Sequence, residues 1–79
     1  VSDEAESHGI EVTLDRLLRE RGMTLTELSQ RVGVSLVNLS VLKNGRARAI
    51  RFSTLSRLCA VLDCQPGDLL GYRPREPNP

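Results

Sequence analysis

With 79 residues the chain has room for one domain, and a domain of this size buries only about 60% of the surface its unfolded chain exposes, so a second copy or a partner would add to its stability. Apolar residues at 39% and charged residues at 27% exclude a disordered polar chain. No apolar run approaches the length of a membrane span, and aromatics at 3% with no Trp leave too few stacking platforms for a binder of single strands or RNA loops.

The net charge of +1 conceals a strong polarity along the chain. Asp3, Glu4 and Glu6 make the first nine residues acidic, whereas no acidic residue lies between Glu27 and Asp63. That interval holds Arg31, Lys43, Arg46, Arg48, Arg51 and Arg57. A cationic stretch of this kind is either a solvated face or the footprint of a polyanion such as duplex DNA.

In chain order, residues 1–9 are polar and aperiodic and read as a mobile acidic arm. Ile10-Glu11-Val12 alternates and favours extended backbone but is too short to stand alone. Leu70-Gly71-Tyr72-Arg73 alternates as well, so pairing the two would tie the ends of a domain over residues 10–72 into a small ribbon. A first helix is expected over Leu14–Arg21, with Leu14, Leu17, Leu18 and the stem of Arg21 turned inward and Gly22 ending it. Met23 links it to the next segment.

Thr24-Leu25-Thr26-Glu27 fits a capping box, in which the threonine hydroxyl satisfies a free N–H at a helix start and Glu27 reaches back to satisfy another. Leu28 and Val32 give the helix over Leu25–Val32 one apolar stripe. Gly33 stands where a helix ends in a left-handed residue, a conformation that costs glycine no side-chain clash. Ser35 caps a third helix over Leu36–Lys43, which Asn44-Gly45 closes. Two capped helices around a glycine turn are the layout of a helix-turn-helix, whose second helix enters a DNA major groove.

Residues 45–51 form a basic loop. A fourth helix is expected to start after Ser53, with Phe52 preceding that cap, and to carry Leu55, Leu58, Cys59 and Leu62 on one face. Asp63-Cys64-Gln65 turns the chain, and Pro66 suits the first position of a last short helix reaching Leu70. The segment 73–79 has three prolines in seven residues and reads as an extended tail. The fold class is therefore mainly α: a compact five-helix domain with a two-stranded ribbon joining its ends.

Cys59 and Cys64 are not spaced as C-x-x-C, and the sole histidine, His8, lies near the terminus, so no zinc ligand set is in view. Cys59 reads as a small core residue. No nucleophile–base pair or Gly-rich phosphate cradle can be assembled. The expectation is a non-enzymatic cytoplasmic chain without metal, cofactor, small-molecule ligand or membrane attachment.

The ordered set Thr26-Glu27-Leu28-Ser29, Gly33-Val34-Ser35, Leu39-Ser40, Leu42 and Asn44-Gly45 resembles the phage repressor/Cro-type helix-turn-helix family, also called the xenobiotic-response-element type. The resemblance runs from Val12 to Leu70, through Arg51-Phe52 and Pro66-Gly67-Asp68-Leu69. It implies a transcriptional regulator that binds double-stranded DNA, acts as a homodimer and represses or tunes transcription.

On a helical wheel Leu39 and Leu42 face the core, and the opposite arc holds Leu36, Val37, Ser40, Val41 and Asn44. Positions matching Leu36, Val37 and Val41 commonly reach base edges in the family, often as glutamine; here they are apolar. Leucine and valine cannot make the bidentate hydrogen bonds that discriminate adenine or guanine, but they can touch the thymine methyl. The alternative is a protein-interaction module, of antitoxin or phage accessory type, that docks this apolar strip on a partner. Asn38 is placed to bond a base or a phosphate, or only to support the helix start. Family positions imply phosphate contacts for Ser29, Ser35, Lys43, Asn44, Arg46 and Arg48, although Ser35 can equally be only a cap. Arg51 matches a position from which arginine enters the minor groove, where it responds to groove width; its other reading is an exposed charge. A dimer surface is expected on the last helix and the terminal segments, where Leu69, Leu70 and Tyr72 cluster.

Overall fold

The structure, a computed structural model, describes residues 8–74. Most of the acidic arm and of the Pro-rich tail, residues 1–7 and 75–79, lies outside them. The order of elements is β1 (Ile10–Val12), α1 (Leu14–Arg21), α2 (Leu25–Val32), α3 (Leu36–Lys43), α4 (Phe52–Leu62), α5 (Pro66–Leu69) and β2 (Leu70–Tyr72). The chain is thus mainly helical, with five helices and one small antiparallel ribbon.

Local chemistry starts and stops these helices. At α2 the Thr24 hydroxyl accepts the Glu27 N–H at 3.0 Å. Only half of the expected box forms, because the Glu27 carboxylate turns along the helix to Arg31, 3.3 Å away. A carboxylate return does form at α5, where Asp68 Oδ2 accepts the Gln65 N–H at 2.9 Å. Ser35 caps α3 by accepting the Asn38 N–H at 3.1 Å. At the other end of α3, Gly45 has φ +75°. The Gly45 N–H then reaches Leu42 O and the Arg46 N–H reaches Val41 O, each at 3.0 Å. This paired closure is a Schellman turn, and only a residue at ease with positive φ sits in it without strain.

The start of α4 departs from expectation. The helix begins at Phe52 rather than after Ser53, its N-cap is Arg51, and no side chain caps it. The Arg51 carbonyl accepts the Leu55 N–H at 2.9 Å, so the first hydrogen-bonded turn closes two residues earlier than a serine cap would allow. Phe52 is left 86% exposed at the helix entrance.

The core is Leu14, Leu17, Leu18, Leu28, Val32, Leu39, Leu42, Leu58, Leu62 and Leu69, drawn from all five helices. Cys59, Met23 and Leu55 pack half-buried against it. Leu69 is therefore not available to a partner: it is 1% exposed, and Leu70 packs on the same core. Of the expected dimer cluster only Tyr72 stays outside, opposite Ile10 in the ribbon. An apolar residue beside a chain end needs no partner protein when the fold brings that end over the core.

Two long-range polar ties hold the helices in register. Thr13 Oγ1 donates to the carbonyls of Asp68 (2.6 Å) and Leu69 (3.1 Å), and the Thr13 N–H also donates to Leu69 O at 2.8 Å, fastening the start of α1 to α5. Arg21 lays its stem inward and donates from Nε to Leu62 O (2.9 Å) and from Nη2 to Asp63 O (3.3 Å). The charge thus lands on the last carbonyls of α4, the negative end of that helix dipole.

At its open end the ribbon takes in Gly9, opposite the expected Arg73. The Arg73 N–H donates to Gly9 O at 2.8 Å, and Arg73 Nε lies 3.1 Å from Glu11 Oε2. Gly9, assigned by sequence to the arm, is held against the body; a Cβ there would run into the Arg73 carbonyl oxygen and the Tyr72 ring.

Candidate nucleic-acid interface

The angle between α2 and α3 is set at the turn. The Gly33 N–H donates to Ser29 O at 3.0 Å, and the Ser29 hydroxyl donates to Val34 O at 2.6 Å. The same serine therefore closes α2 and grips the first residue beyond the glycine. In this geometry the hydroxyl expected to meet a phosphate donates into the turn.

Leu39 (1% exposed) and Leu42 (8%) press α3 into the core. The outer arc then presents Leu36 (44%), Val37 (71%), Ser40 and Asn44. Asn44 Nδ2 approaches Ser40 Oγ at 3.4 Å, linking the two polar groups of the arc. Val41 is half-buried on one flank of α3 and Lys43 is half-buried on the other.

That difference of flank matters. On one side of α3 a concave surface is lined by Ser35, Asn38 and Val41 from the helix, Arg46, Arg48 and Arg51 from the loop, and Thr54 and Arg57 from the first half of α4. On the other side Lys43 faces α1, with Nζ 3.7 Å from Asp15 Oδ1. The structure brings the loop arginines, Asn38 and Val41 together, and it leaves Lys43 beside a carboxylate. Arg31 is likewise offset by Glu27.

Arg46, Arg51 and Arg57 form no ion pair with another described residue. Four guanidinium groups, counting Arg48, share one concave face that has no acidic lining residue among the described residues. The uncapped start of α4 opens beside it. Its first N–H groups carry partial positive charge, and no acidic residue stands in that first turn to offset it. Such a face attracts a phosphate backbone. Thr54 and Arg57 were not among the residues picked from sequence. The signal was the i, i+3 spacing on the polar side of α4, but only the fold of the loop brings that side against α3.

Among the described residues no group of three metal-binding side chains comes together, and no helix is long and apolar enough to cross a membrane.

The Cro/C1-type HTH DNA-binding domain accounts for residues 13–75. The chain belongs to the Cro/C1-type helix-turn-helix family. Like other members of this Cro/C1 type, it is a DNA-binding transcriptional regulator, and α2–α3 is its helix-turn-helix. It is similar to YozG of Bacillus subtilis (strain 168), an uncharacterized HTH-type transcriptional regulator, with 55% identity over 65 residues covering 82% of this chain and 77% of YozG. Its fold is similar to the crystal structure of the transcriptional regulator VanUg (Form II). The TM-score is 0.71 at 28% identity, over 89% of this chain and 92% of VanUg. The Cro/C1 match takes in α1 to α5 and β2, so α5 and the second ribbon strand belong to the domain, whereas β1 (Ile10–Val12) lies just before the matched residues.

Proposed function

We propose that this chain is a sequence-specific regulator of transcription, a repressor in its simplest form, that binds double-stranded DNA as a homodimer. The observation that supports this reading is the convergence of Arg46, Arg48, Arg51 and Arg57 with the outer arc of α3 on a face that has no acidic lining among the described residues. In this reading α3 enters the major groove. Leu36, Val37, Asn38, Ser40 and Val41 meet base edges there, while Ser35, Asn44 and the loop arginines hold the backbone. Arg51, at the start of α4, reaches for the minor groove.

Two copies related by a two-fold axis read half-sites about one helical turn apart. Sedimentation with a palindromic duplex is expected to show two chains per duplex at saturation; one chain would refute the two-fold arrangement.

The readout has an unusual balance. Val37 is 71% exposed and Leu36 44%, and neither can donate a hydrogen bond. A buried methyl contact is worth roughly 1 kcal/mol, against about 1–3 kcal/mol for a bidentate pair. Base discrimination therefore rests on thymine methyls and on groove shape, and the preferred site is rich in A and T. Selection of bound sequences from a random duplex library would supply that site. Replacing a contacted thymine with uracil, which removes only the methyl, is expected to cost about 1 kcal/mol in the parent chain and little in Val37→Ala. Should uracil at every major-groove thymine leave affinity unchanged, with Val37→Ala folded and binding normally, α3 does not read bases in this way. The exposure of Leu36 and Val37 would then favour the second reading, a module of antitoxin or phage accessory type that docks on a protein.

A further inference from the structure

Cys59 and Cys64 lie well apart in spacing from a C-x-x-C motif, yet the end of α4 brings them together. Asp63 takes the left-handed conformation at φ +52°, and the Cys64 N–H then donates back to Cys59 O at 3.0 Å. In a helix ending of this kind the side chains of these two positions meet. The covalent lengths on either side of that hydrogen bond limit the Cα–Cα separation to about 7 Å, and bending at the turn brings it into the range a disulfide spans. Both residues are free thiols and both are half-buried, so a small reagent can reach them.

We propose that Cys59 and Cys64 form a reversible disulfide that clips the end of α4 to the segment leading into α5. The clip closes over the junction that Arg21 already ties from α1 through the carbonyls of Leu62 and Asp63. Beyond that junction the chain runs directly into α5 and Leu69 of the core, so the disulfide would fasten the closing segment of the fold.

The groups facing the pair come from three elements. Burial raises the Cys64 thiol above its ordinary range, the neighbouring Cys59 thiol raises it further, Asp68 of α5 adds in the same direction, and Arg21 of α1 acts against them. The thiol is thus mostly protonated at neutral pH, so exchange is slow and the pair is brought to equilibrium with a small disulfide. One cysteine thiolate attacks a sulfur of oxidised glutathione; that S–S bond breaks, a mixed disulfide forms and one glutathione leaves. The second cysteine then attacks the protein sulfur of the mixed disulfide and releases the other glutathione. The two cysteine protons end on the two glutathione thiols, so the protein is oxidised by two electrons and glutathione disulfide is reduced.

The test is intact-mass measurement of the full chain after equilibration in glutathione buffers and acid quenching. The expected result is the loss of two hydrogens without added glutathione, both thiols becoming inert to maleimide together, and reversal by dithiothreitol. Under the same buffers Cys64→Ser is expected to keep a single glutathione adduct on Cys59. Urea unfolding of the oxidised chain is expected at a higher midpoint than that of the reduced chain. Separate glutathione adducts on both cysteines of the parent chain, a disulfide-linked pair of chains, or two free thiols in fully oxidised glutathione would each overturn the proposal. So would a midpoint that falls on oxidation.

Discussion

Leu39→Ala is expected to lower the melting temperature of the domain by about 10 °C or more, and with it to weaken duplex binding. Leu39 is 1% exposed and is one of only two residues that anchor α3 in the core. Truncating a buried leucine costs about 2–5 kcal/mol, against a total stability of about 5–15 kcal/mol for a native protein. At this size each kcal/mol moves the melting temperature by about 4–8 °C. Thermal melting followed by circular dichroism should therefore fall by about 10 °C or more. Val37→Ala, two residues earlier on the opposite side of the same helix, should melt within about 0.5 kcal/mol of the parent because its side chain is mostly in water. Equal melting of the two variants would mean that α3 is not seated as described. The contrast separates loss of the helix from loss of the surface it presents.

The second large effect concerns charge. Replacing Arg46, Arg51 and Arg57 together with glutamine keeps a polar end on an unbranched stem while removing three positive charges from the concave face. Each phosphate contact contributes a slope of about −0.9 in the logarithm of affinity against the logarithm of salt. Three lost contacts should flatten that slope by close to three units and, at about 0.15 M salt, weaken binding to any duplex by about two orders of magnitude. Titrations at several salt concentrations, on a selected site and on an unrelated duplex, measure both quantities. The loss should be similar on the two duplexes, since phosphate contacts position the protein without reading sequence. An unchanged slope would place these arginines away from the backbone and would favour an apolar protein partner, whose binding depends little on salt. The variant should fold normally: Arg46, Arg51 and Arg57 are exposed and form no ion pair with another described residue.

Several helix ends were legible because their causes are local. Thr24, Gly33, Ser35 and Gly45 act on backbone groups within a few residues of themselves, so their spacing in the sequence is also their spacing in the structure. The same is true of the apolar period that placed Leu39 and Leu42 inside. Where a local signal had two possible outlets, sequence could not choose. Glu27 had its own helix start on one side and Arg31 on the other, and an opposite charge one turn away won. Ser53 had the composition of a cap, but α4 began at Phe52 once the loop delivered Arg51 in extended conformation.

Read alone, the sequence already places the five helices, the glycine turn between α2 and α3, the core leucines and valine of α1 to α3 and the excess of positive charge between Glu27 and Asp63. These follow from backbone hydrogen bonding, side-chain period and composition, none of which needs a distant residue. Packing of the helices sets which charges act together. Lys43 and Arg46 are three residues apart, yet one faces Asp15 of α1 and the other joins Arg51 and Arg57 across the loop. It also puts Leu69 in the core and adds Gly9 to the ribbon opposite Arg73. For Lys43, Leu69 and Gly9 the neighbour that fixes the role is tens of residues away along the chain, and for Arg46 it lies across a loop; in both situations packing, which no local signal encodes, brings the two together.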